Sequence, residues 1–180
     1  MAVTILAVLV PGVAGAADCN GYPADLVGSN SDDYIPGDSG VNVIALLDGQ
    51  DRADGKGSED WICGHQGSDN TGIGLVGANG PDLIFGGGGF DALWGDNGSD
   101  ALYGDDGPDI LVGGEVGDTL RGIDGEDGIV GDDGDDYILG GLDSDDLVGG
   151  AGDDYLDGGS GKDTCNGGGG SDTLISCNEP

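Results

Sequence analysis

Fifteen aspartates recur on a nine-residue spacing: Asp33, Asp51, Asp60 and Asp69, then Asp82, Asp91, Asp100, Asp109, Asp118, Asp127, Asp136, Asp145, Asp154, Asp163 and Asp172. Asn42 stands in the place between the first two. From Gly77 onward a glycine always precedes the aspartate by five residues. Carboxylates can act as acids, bases or ligands, and their setting here points to the last. Calcium takes six to eight oxygens at about 2.3–2.6 Å, drawn from carboxylates and backbone carbonyls. Glycine tolerates positive φ, so glycines at the first, second and fourth places of a turn let carbonyls crowd inward. Each aspartate is therefore a candidate calcium ligand, with turn carbonyls supplying the other oxygens.

The elements that must hold these carboxylates follow from the same period. Counted in nines from Gly77, eleven segments run to Ile175 with Gly at position 1 and Asp at position 6. Position 8 is aliphatic in all but one, where Cys165 stands. Positions 7 to 9 form a short strand whose side chains alternate, so position 8 faces in while 7 and 9 face out. Two nonapeptides close an 18-residue coil, and equivalent turns of successive coils stack about 4.8 Å apart. The expected fold is all-β, a parallel β-roll (β-solenoid) with cations between its turns.

The phase extends back from Gly77 if Ile73–Val76 is set aside as a four-residue insertion. Earlier turns then begin at Gly28, Gly37, Leu46, Gly55 and Gly64. They are less regular: Leu46 replaces a glycine, and Ala53 and Thr71 weaken the inward row. Residues 28–72 are thus expected to be less stable than 77–175. Cys19 to Val27 forms a degenerate leading coil with Leu26 inward, suited to a cap. Val116 occupies a fourth position where glycine is usual, and a β-branched residue resists φ > 0. The expectation is that Gly117 takes the left-handed conformation instead.

Sixteen turns in phase, from Gly28 to Ile175, carry a resemblance to the hemolysin-type calcium-binding (RTX) repeat proteins. The resemblance implies calcium as ligand. It also implies a module of the kind carried by larger secreted proteases, lipases, toxins or adhesins. Within these 180 residues there is no room for such a catalytic domain. Nor is there a helical zinc motif, a GxSxG elbow or a Ser/His/Asp set. The chain is accordingly expected not to be an enzyme, the competing reading being the detached calcium domain of a secreted hydrolase or toxin. Twelve uninterrupted turn pairs give about 12 calcium ions, and pairs straddling the insertion add two more.

Composition agrees with this reading. The chain has 43 glycines, 36 acidic residues and four basic ones, for a formal charge of −32. Nucleic acid and anionic lipid both demand cationic contacts, so neither is an expected partner. About 12 calcium ions would bring the charge near −8, within the range of soluble domains. One inward side chain per nine residues makes a thin core for so glycine-rich a chain, since ordering each residue costs about 1–2 kcal/mol. The metal-free chain is expected to be an expanded coil.

Met1 to Ala16 is uncharged, apolar through most of Val3 to Val10, and ends in Ala14-Gly15-Ala16. This is the pattern of a secretory signal cleaved before Ala17, too short to span a membrane. Without a basic residue ahead of the apolar stretch, the natural start is expected upstream. The organisation is then signal 1–16, cap 17–27, roll 28–175 and tail 176–180, in a secreted, extracellular protein. Four cysteines in a secreted chain favour two disulfides. Cys165 and Cys177, twelve apart at the last turn, are paired as a staple; Cys19–Cys63 remains and requires the leading segment to fold back.

His65, the only histidine, sits at position 2 of a turn with no catalytic partner in view, and reads as an exposed turn residue. Outward rows place Phe85, Tyr103, Arg121 and Leu139 on one face, and Trp94, Val112, Val130 and Val148 on the other. These rows offer a contact surface for a protein or other surface partner. Ice binding would need a flat threonine ladder, which the mixed rows do not provide.

Overall fold

The computed structural model describes residues 18–70, 72 and 74–177. The signal segment expected at 1–16 lies outside the described residues. Within them the chain winds as a β-solenoid of two parallel sheets facing each other across a single core. One sheet has eight strands, from Tyr34–Pro36 to Thr164–Gly169; the other has ten, from Leu26–Val27 to Thr173–Ile175. Each regular strand pairs with its equivalent one coil on: Leu83 with Ala101, Ile84 with Leu102, Phe85 with Tyr103. No helix of the described residues is long and apolar enough to cross a membrane.

The strands outrun the three residues expected of them. Ala101–Asp106 covers positions 7 to 9 and the first three places of the next turn, because Gly87 and Gly88 keep the ladder going against Asp105 and Asp106. The core is the inward row. Ile84, Leu102, Leu120, Ile138 and Leu156 line one sheet, opposite Leu93, Leu111, Ile129 and Leu147, all at most 1 % exposed. Alternation is the cause, since every second side chain of a strand points to the same face.

The four extra residues fall at 70–73, not at Ile73–Val76. Leu75 pairs with Ala53 and Leu93, and Val76 with Asp54 and Trp94, so the period resumes at Gly74. Burial decides the frame: Leu75 fills completely the inward place between Ala53 and Leu93. Gly74 makes this feasible, because a Cβ there would collide with the Ala92 carbonyl. Pairing is unbroken on the opposite sheet as well, with Ile62 against Ile84 at a spacing of 22 residues.

Both expected disulfides are present, Cys19–Cys63 and Cys165–Cys177. The leading segment does fold back. Asp18–Cys19 and Tyr22–Pro23 form an antiparallel hairpin whose Cys19 packs with Val43 and Cys63, while Tyr22 lies 4.0 Å from the Trp61 ring. Because Cys63 is at an outward position, the hairpin covers the outer face of the sheet.

Candidate metal centres

Each repeat aspartate stands at the join between turn and strand, and the sheet fixes it there. Its carbonyl accepts from the first strand residue of the next coil, as Asp82 does from the Ala101 N–H at 2.9 Å. Its Oδ1 accepts from the backbone N–H of the equivalent residue one coil earlier, as Asp118 does from Asp100 at 2.8 Å. Fourteen such bonds make two continuous ladders, one along each edge of the roll. One ladder links Asp33, Asp51, Asp69, Asp91, Asp109, Asp127, Asp145 and Asp163. The other links Asn42, Asp60, Asp82, Asp100, Asp118, Asp136, Asp154 and Asp172. The four extra residues do not interrupt either: Asp60 reaches Asp82, and Asp69 reaches Asp91, at 2.7 Å each.

The second carboxylate oxygen has no such partner. In the thirteen aspartates Asp51, Asp60, Asp69, Asp82, Asp91, Asp100, Asp109, Asp118, Asp127, Asp136, Asp145, Asp154 and Asp163, Oδ2 is buried without a hydrogen bond. A buried, unanswered anionic oxygen costs several kcal/mol, so it calls for a proton or a cation. Oxygens of the next coil add to the demand. A Cβ built on Gly86 would lie 2.8 Å from Asp91 Oδ2 and 2.7 Å from the Gly104 carbonyl, so both oxygens crowd one bare glycine. The first glycine of each turn is thus required by close approach, and not by positive φ as the sequence implied. Positions 2 and 4 do take positive φ, as in Gly87 and Gly89.

Burial raises these carboxyls well above their ordinary value, and neighbouring carboxylates add to it against the opposing backbone N–H. Asp109 is pushed up to about 8, with Asp91, Asp127 and Asp105 contributing. Asp69, Asp82, Asp118 and Asp145 rise to about 7. Asp51, Asp60, Asp91, Asp100, Asp127 and Asp136 rise to about 6 by the same burial. Among the described residues no three His, Cys, Asp or Glu side chains converge on one point. A cation held here must therefore take much of its shell from backbone carbonyls. That donor set is all oxygen, which suits calcium and not zinc or copper.

The sequence matches the family model for the RTX calcium-binding nonapeptide repeat (4 copies) at residues 25–53, 36–70, 76–111, 112–147 and 139–174. The chain belongs to this family. No curated protein matches it. As an RTX roll it is a calcium-binding structural module, and its repeats account for both aspartate ladders.

Three features escaped the sequence reading. The ends differ from the middle: Asp33 Oδ2 accepts from Ser29 N–H and Oγ, and the Asn42 Oδ1 accepts from the Asp38 N–H. Val116 itself adopts φ +80°, and Gly117 does not relieve it. Ile123, β-branched at position 2, sits at φ +92° with no cue in composition alone.

Proposed function

We propose that this chain is a secreted RTX roll that folds as its carboxylates bind calcium outside the cell, and that it serves as a structural or binding module and not as an enzyme. The ligands are the fifteen repeat aspartates from Asp33 to Asp172, joined by turn carbonyls. Because the ladders pass through residues 70–73 without a gap, the number of calcium ions rises from about 12 to about 14, one between each stacked pair of turns. Calcium supplies the positive charge that two rows of buried oxygens require. The chain's own part is to hold Oδ1 on a backbone N–H in every repeat aspartate but Asp33, leaving Oδ2 aimed at the turn. The observation that carries the reading is the run of thirteen buried Oδ2 atoms without a donor.

Far-UV circular dichroism during calcium titration, with light scattering on the same sample, tests it. The expected result is a sigmoidal gain of β signal at about 10⁻⁴–10⁻³ M calcium and little response to magnesium, which demands a tighter octahedron. An equal β signal in excess chelator at about pH 8, where the ladder carboxyls are ionised, would leave a metal-independent solenoid. Outward stacking of Phe85 on Tyr103 at 4.9 Å, and of Tyr137 on Tyr155 at 4.8 Å, favours a second role in which the faces contact another surface.

A further inference from the structure

A notch of about 450 Å³ opens where the leading hairpin meets the roll, lined by Asn20, Cys63, His65, Gln66, Phe85, Gly87, Asp105 and Asp106. Its origin is in the register. His65, Gly87 and Asp105 fall in one column across three coils, and Gln66, Gly88 and Asp106 in the next. The two bare glycines leave a gap between a histidine and glutamine on one side and two aspartates on the other. Gln66 leans into it, its amide 2.8–2.9 Å from where a Cβ on Gly88 would sit. Phe85, stacked on Tyr103, and the Cys19–Cys63 disulfide form a rigid apolar wall. His65 lines the notch, and its Nε2 is buried without a hydrogen-bond partner. The ladders leave all of these side chains unused.

We propose that this notch binds one ring of a neutral carbohydrate. The alternatives fail on chemistry. An anion would meet Asp105 and Asp106 with no lysine or arginine in the lining. A bare metal ion is far smaller than the cavity, and no third ligating side chain converges with His65. An amine finds acceptors in Asp105 and Asp106 but, as a donor only, does not answer the amide N–H groups of Asn20 and Gln66 as a hydroxyl does. Sugar hydroxyls both donate and accept, so one ring donates to Asp105 and Asp106 and accepts from Asn20 and Gln66. Its C–H face lies against the apolar wall. Few convergent polar groups beside an aromatic wall are the usual makings of a small-ligand site.

The site rests on the calcium-folded roll, since its parts come from three coils and the hairpin. The test is ligand-observed saturation-transfer NMR on the calcium-saturated chain, with methyl glycosides of glucose, galactose, mannose and N-acetylglucosamine as probes. Circular dichroism on the same sample reports the fold. Transfer is expected to at least one probe. Affinity should fall about tenfold or more in His65→Ala and in Gly88→Leu. Both variants suit their backbone: Ala78 already holds position 2 at φ +82°, and Leu142 already holds position 3. A folded roll that shows transfer to none of the four, or unchanged transfer in both variants, overturns the site alone. A chain that gains no β structure in calcium defeats the RTX reading and this site with it.

Discussion

A carboxylate in the middle of a ladder faces an equivalent turn above and below, whereas one near an end does not. Asp136 is 2 % exposed, its Oδ1 accepts from Asp118 and its Oδ2 has no donor. Asp33 has its Oδ2 answered by Ser29. Asp136→Asn should therefore raise the calcium midpoint of the folding transition more than Asp33→Asn does, as measured by circular dichroism titration. Equal shifts would mean that ladder position does not govern affinity. Val116 gives a second expectation at this scale. It is β-branched at φ +80° and 56 % exposed, so its side chain gains little from burial while the backbone is strained. Val116→Gly should stabilise the calcium form by about 1 kcal/mol, and a lower melting temperature in saturating calcium would contradict this.

At the scale of the coil, the period announced that four residues were extra but could not say which four. Removing 70–73 or 73–76 keeps Asp82 in phase equally well. The choice turns on which residue meets Ala53 and Leu93 in the inward row, and the pairing and burial of Leu75 settle it. The repeating coil and both ladders were legible because a fixed spacing of Gly, Asp and aliphatic residues has few other uses. The notch at His65 was not, since it arises from bare glycines one coil away. The corrected frame leaves the irregular turns of 28–72 in place but shows no gap in pairing between them and the rest. In saturating calcium, hydrogen exchange should find the Asp60 and Asp69 amides, which bridge the extra residues, as protected as those of Asp100 and Asp109. Fast exchange at the first pair alone would restore a weak seam. The Asp163 and Asp172 amides, with no following coil among the described residues, should exchange faster than either.

For the molecule as a whole, the ladders make folding a contest among calcium, protons and self-repulsion. The formal charge is −32, and twelve ladder carboxyls, from Asp51 to Asp154, are raised by burial in the folded chain. A carboxyl raised from 3.8 to about 7, as at Asp118, holds its proton in the fold at pH values where the unfolded chain has lost it. Between those values the folded state binds more protons, so stability without metal falls as pH rises. The proton-linked stability is fully present below about pH 4 and is lost as pH climbs through 6 to 8, where Asp109 is the last to ionise. Calcium acts in the opposite sense, because it binds the ionised form and competes with the proton. In chelator, the β signal should therefore appear toward pH 4 and disappear by about pH 8, while added calcium restores it at the higher pH. The calcium midpoint should worsen as pH drops through the same window. Light scattering is needed alongside, since the pI near 4.1 removes the net charge that keeps chains apart. A metal-free chain that gains β structure on raising the pH would reverse the sign of the linkage and refute burial as the source of the calcium demand.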